Sequence, residues 1–74
     1  MPRMLYQCSY GTAPGPNGLG RVAMYEVHDL AGERVEGGCG TTVFENPAEA
    51  IREAMELGRA AVERLQLQTV VPRL

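Results

Sequence analysis

A chain of seventy-four residues has room for one small domain, because at this length only about 60% of the surface exposed by the unfolded chain is buried, and two cores cannot be built. With 45% hydrophobic and 22% charged residues, it reads as a folding globule, which excludes the charge-rich disordered class and the membrane-spanning class. Nine acidic against seven basic residues give a net charge of -2, so direct nucleic-acid binding is not expected.

Along the chain, Met4, Tyr6, Cys8 and Tyr10 alternate with Leu5, Gln7 and Ser9, the period of two of a half-buried strand over Arg3–Tyr10. Gly11–Gly20 then holds four glycines and two prolines, which predicts a flexible loop. Alternation resumes over Arg21–His28, with Ala23, Tyr25 and Val27 on one side and Val22, Met24, Glu26 and His28 on the other. Asp29–Glu33 contains an Asp suited to turns and Gly32, which accepts positive φ, so the next strand returns antiparallel. That third strand runs from Arg34 to Phe44. Gly37, Gly38 and Gly40 interrupt it, predicting a bulge or bend, with pairing resuming at Thr41.

The helix has the clearest signal. Asn46 can cap the first amides, Pro47 suits the first helical position, and Glu49 completes a capping-box pattern. Ile51, Met55, Gly58, Val62 and Leu65 form an apolar stripe, widened by Ala50, Ala54 and Ala61. Glu49, Arg52, Glu53, Glu56, Arg59 and Glu63 share the other face. Gly58 within the stripe predicts a close approach to the sheet, with Tyr6 or Tyr25 as neighbour. Gln68–Val71 is β-prone and ends at Pro72, as an edge strand or an extended tail would. The expected fold is therefore α+β, a single domain over residues 1–74, with an antiparallel three- to four-stranded sheet and one long helix on one face.

No catalytic constellation emerges. Gly15, Gly18 and Gly20 are not followed by Lys-Ser or Lys-Thr and lead into a strand, so a phosphate loop is not expected. Cys8, Cys39 and His28 are too few for a closed zinc site and lack paired spacing. His28 lies on the strand face opposite Val27, which separates it from a thiol nucleophile. The expectation is a non-enzyme with no metal and no cofactor, the alternative being a small enzyme subunit that completes its site only as an oligomer. Its two thiols are free, and in the absence of an apolar leader its location is the cytoplasm.

Surface is what remains. One helix covers one side of the sheet, so the side carrying Val22 and Met24 wants a protein partner, with a homodimer through this face as the competing occupant. Beside it, Glu26, Asp29, Glu33 and Glu36 gather along the hairpin as an acidic edge suited to a basic groove. The candidate partner-binding residues are thus Val22, Met24, Glu26, His28, Asp29, Glu33 and Glu36.

Two families share parts of this pattern. The strand, the turn His28-Asp29-Leu30-Ala31-Gly32, a further strand and the helix opening Asn46-Pro47-Ala48-Glu49-Ala50-Ile51-Arg52-Glu53-Ala54 resemble the βββα core of HicB-type antitoxins, although both prolines of that family's turn are missing. This resemblance implies a module that caps a small toxin nuclease. In size and layout, with a Gly/Pro-containing early loop, Tyr25-Glu26-Val27 in a strand and one Ala-rich helix over Ala48–Leu65, the chain is similar to small phage-encoded anti-CRISPR proteins. That similarity implies an inhibitor that blocks a surface of a nucleoprotein defence complex. All seven basic residues are arginine, in keeping with a GC-rich bacterial or phage genome.

Overall fold

The computed structural model describes residues 4–69. Their order is β1 (Tyr6–Pro14), a single 3-10 turn (Pro16–Gly18), β2 (Arg21–Asp29), β3 (Arg34–Cys39) and α1 (Pro47–Thr69). The three strands form one antiparallel sheet in the order β1-β2-β3, and α1 rests on β1 and β2 about equally. The α+β architecture expected from the sequence is the observed one, with three strands. Of the proposed fourth strand, Gln68 and Thr69 belong to α1, and Val70 and Val71 lie outside the described residues.

The first hairpin is longer than its composition suggests. β1 continues through Gly11, Thr12 and Ala13 to Pro14, which pairs with Arg21, so the loop shrinks to the residues around the 3-10 turn. The ladder explains why a proline is tolerated there. The Gly15 amide bonds the Gly20 carbonyl, whereas the Arg21 amide and carbonyl both point to Phe44, at 2.7 and 2.8 Å. The Pro14·Arg21 pair is therefore a non-hydrogen-bonded one, and the missing N–H of Pro14 would have faced outward from the sheet edge.

β3 corrects the sequence reading twice. Gly37 and Gly38 stay in the ladder, opposite Glu26 and Tyr25, and the irregularity falls between Val27 and His28, where Val35 is the extra residue. After the Gly40 amide bonds the Ala23 carbonyl, pairing returns only as a bridge between Arg21 and Phe44, three residues later than Thr41. The β2–β3 turn forms as expected, with Gly32 at φ 88° and the Asp29 side chain accepting the amides of Ala31 and Glu33.

α1 starts where its cap dictates: Asn46 Oδ1 accepts the Ala48 amide at 2.9 Å. Its buried seam is made of small residues. Ala50, Ala54 and Ala61 are essentially inaccessible and Val62 nearly so, while Met55 is 43% exposed. The stripe is thus rotated from the one drawn through the large residues. Glu53, read as solvated, is drawn inward, with Oε1 buried against Gly40 and unpartnered among the described residues. The reason is proximity. At Gly58 a Cβ would overlap Cys8 Sγ and stand 2.7 Å from Tyr10 Cε1, so the helix backbone rests directly on these two side chains of the sheet. The close approach at Gly58 is observed, and its neighbours are Cys8 and Tyr10 instead of Tyr6 or Tyr25. Facing this seam, Ala23 and Val27 are fully buried, and Val27 is the largest fully buried side chain described.

Gly58→Leu decides how tight this contact is. Leucine recovers roughly 1 kcal/mol of helix propensity, but overpacking costs about 1–3 kcal/mol and here is opposed by a thiol and a ring at once. The variant should unfold at a lower urea midpoint than the parent; an equal or higher midpoint would contradict the contact.

Candidate functional site

The pleat divides the sheet into two chemically different faces. Tyr6, Cys8, Tyr10 and Thr12 of β1 align with Asp29, Val27, Tyr25 and Ala23 of β2 beneath α1, with Glu36 and Gly38 of β3 beside them. The other face carries Gln7, Ser9, Gly11 and Ala13, then Val22, Met24, Glu26 and His28, then Arg34, Gly37 and Cys39. No described helix lies on this second face. It is the surface on which the sequence puts a partner.

Its centre is apolar and its hairpin end is charged. Met24 remains 36% exposed, opposite Gly11 and beside Cys39. Because Gly11 offers no side chain, a shallow depression of about 230 Å³ opens there, with Ser9, Met24 and Glu26 on its walls. Towards the turn, Glu26 meets two basic side chains, Oε1 near His28 Nε2 and Oε2 near Arg34 Nε, both at 3.4 Å. Gly37 makes room for this: a Cβ there would stand 2.5 Å from Arg34 Nη2, so the guanidinium lies flat across the glycine to reach Glu26. Val35, pushed out by the bulge, is 44% exposed.

The acidic edge expected along the hairpin does not assemble as one surface. Glu26 is balanced by His28 and Arg34, and the Asp29 carboxylate is engaged by the turn amides. Glu36 lies on the helix side, where its Oε2 accepts the Tyr25 hydroxyl at 3.0 Å and bonds Arg64 Nη2. Glu33 stays exposed. Of the seven residues singled out in the sequence, Val22, Met24, Glu26 and His28 share the open face, Asp29 and Glu33 close the hairpin, and Glu36 is on the other side. Arg34 and Val35 were missed as members of this surface. The hairpin register places Arg34 opposite His28, and that register depended on a bulge the sequence did not locate.

The potential chemical groups are kept apart. Cys8 lies under α1, and burial pushes its thiol up, away from the thiolate. His28 and Cys39 are on the open face, separated along β2 by the three residues between His28 and Met24, the partner of Cys39. The Arg64 guanidinium, then the Tyr25 hydroxyl, hold the Glu36 carboxyl below its ordinary value, while burial and that carboxylate push Tyr25 up. Gly38 admits this group, since a Cβ there would sit 2.9 Å from Tyr25 Cε1. Among the described residues no helix is long and apolar enough to cross a membrane. Comparison with protein families, curated proteins and solved structures finds no match.

The Glu36 shift has a sign that can be checked. A carboxyl held low in the folded state adds stability above its unfolded pKa and loses it as pH falls through the folded value. Acidification from neutrality to about pH 3 should therefore destabilise the parent more than Glu36→Gln, measured as the change in urea midpoint. Equal losses in the two proteins would mean that Glu36 carries no linkage.

Proposed function

We propose that this chain is a non-catalytic binding module that acts by docking its open sheet face onto a protein partner. The observation that carries the reading is the sheet face left uncovered by α1, with Met24 exposed near its centre, half-buried Val22 further along β2 and exposed Val35 at the hairpin end, bordered by Glu26, His28 and Arg34. A central apolar anchor with a charged rim is the arrangement of a protein interface. The separation of Cys8 from His28 and Cys39 argues in the same direction, since nucleophile and base need hydrogen-bond reach.

The class of partner proposed is a nucleic-acid-handling complex of host defence, with the chain as a phage or mobile-element inhibitor of the anti-CRISPR kind. With the Arg34 guanidinium beside Glu26, the exposed Met24 side chain, more than an acidic edge, is the proposed source of affinity. A second reading is an antitoxin module that caps a small nuclease. The element order β1-β2-β3-α1 with the Asp29-Leu30-Ala31-Gly32 turn supports it, because it is the order of the HicB-type core.

Capture from bacterial lysate with mass spectrometry separates the two: an effector complex supports the inhibitor and a lone nuclease supports the antitoxin. In either case Met24→Lys, which puts a charge at the patch centre, should weaken the captured complex by about tenfold or more. Glu56→Arg, on the exposed side of α1, should leave it unchanged. Binding that tolerates Met24→Lys but not Glu56→Arg would move the interface to the helix and overturn the docking face.

A further inference from the structure

The two edges of the sheet are built differently. β3 is six residues long, carries Arg34 and Glu36, and is broken by the Val35 bulge, the devices that keep an edge from pairing. β1 is nine residues long, Tyr-Gln-Cys-Ser-Tyr-Gly-Thr-Ala-Pro, with no charge, no bulge and its only proline at the far end. The ladder assigns the outward-facing backbone groups of this edge. Asp29, Ala23 and Arg21 direct backbone groups toward the β3 side, so their partners on β1, and the residues alternating with them, face outward. At Thr12 the Arg21 guanidinium caps the edge, bonding the Thr12 hydroxyl and carbonyl. Between this cap and Tyr6, the amides and carbonyls of Cys8 and Tyr10 have no backbone partner among the described residues.

We infer that β1 pairs antiparallel with β1 of a second copy of this chain, about a two-fold axis at Ser9. Cys8 of each copy then faces Tyr10 of the other and exchanges both hydrogen bonds, about four in all. The flanking strand sequence is wholly uncharged, so no like charges meet between the two paired strands.

The position of α1 identifies the occupant as a second copy and not a lone peptide strand. Because α1 sits over the line between β1 and β2, it is set back about half a strand spacing from β1. With strands about 4.8 Å apart, the two-fold brings the two helices to roughly 10 Å, the ordinary distance of packed helices. Gly58 rides above Cys8 and Tyr10, so the middle of each helix comes level with the axis. The flank that would meet its copy is already apolar: Val62 together with Met55, 43% exposed in the single chain. Between this flank and β1 runs a groove of about 410 Å³ walled by Met4, Tyr6, Cys8, Tyr10, Arg59 and Val62, which an added strand would leave half open and a second helix would close. Arg59 is at the outer rim with Glu63 one turn on, which tempers repulsion between the two copies of Arg59. The result is a continuous six-stranded sheet with both helices on one side. The open face is left free and doubled in area, so this assembly is independent of the docking reading and compatible with it.

The test combines sedimentation equilibrium of the full chain with amide hydrogen exchange at the same concentrations. The expected result is a reversible species of twice 8.0 kDa, with protection of the Cys8 and Tyr10 amides rising as dimer forms, while the inward amides of Ser9 and Gly11 are protected throughout. Met55→Lys, at a position solvent-exposed in the single chain, should raise the dimer dissociation constant by about tenfold or more. A monomer at all concentrations, or a dimer that leaves Cys8 and Tyr10 exchanging freely, would overturn the edge pairing. A dimer indifferent to Met55→Lys would overturn the side-by-side helices. Capture of an unrelated strand at this edge by a monomeric chain would overturn the second copy as occupant. Loss of the lysate partner by Met24→Lys with dimerisation intact would separate the two surfaces.

Discussion

The contact between Gly58 and the Cys8–Tyr10 stretch of β1 sets the geometry of everything else. Helices usually stand off a sheet by the length of the side chains between them. Here Ala50, Ala54, Gly58 and Ala61 face Ala23, Cys8 and Val27, and at Gly58 the helix backbone lies directly on the Cys8 and Tyr10 side chains. The consequence is a core of small volume. Burying a large aliphatic side chain contributes about 1.5–3 kcal/mol, and among the described residues only Val27 is both large and fully enclosed. Met55 is left on the flank of α1, while Met24 is exposed because the pleat turns it to the face that α1 does not cover and Val35 because the bulge pushes it out. Of these exposed side chains, Met24 and Val35 are the ones the proposed docking uses.

Much of this was legible before the coordinates. Asn46-Pro47 fixes the start of α1 through cap chemistry that is local in the chain, and the alternation over Ala23, Tyr25 and Val27 separates the two faces of β2 correctly. A glycine inside a helical stripe signals close approach for the same local reason. The identity of its neighbours was not legible, because it depends on which end of β1 lies under the middle of the helix. The rotation of the stripe is not legible from side-chain size, because tight packing selects the smallest side chains and turns the alanines inward, which leaves Met55 outside and draws Glu53 in.

The strands show where composition misleads. Pro14 and Gly11 look like loop residues, yet both fit an edge strand, Pro14 at an outward-facing position that needs no amide and Gly11 opposite Met24. Gly37 and Gly38 look like breaks in β3, yet each provides space for a side chain lying across it, Arg34 on one face and Tyr25 on the other. The true irregularity is at Val35, a residue with high strand propensity. It moves Glu36 to the helix side and brings Arg34 to Glu26. One extra residue thus divides a sequence cluster of four acidic side chains into separate environments, and the candidate site read from the sequence loses its acidic character while keeping its apolar centre.

The same bulge also separates the two edges in function. A β3 edge that is short, charged and bent resists pairing, whereas β1 offers an uncharged run whose edge Arg21 caps at Thr12. In a three-stranded sheet the central strand is the only one paired on both sides, so a 74-residue chain with a thin core gains proportionately more from each added strand than a larger domain does. Adding a copy at β1 extends the sheet without touching Val22, Met24 or His28, because edge pairing uses groups in the plane of the sheet and docking uses those perpendicular to it. The proposed self-association and the proposed partner docking therefore draw on orthogonal directions of one small scaffold, and neither would have to be given up for the other.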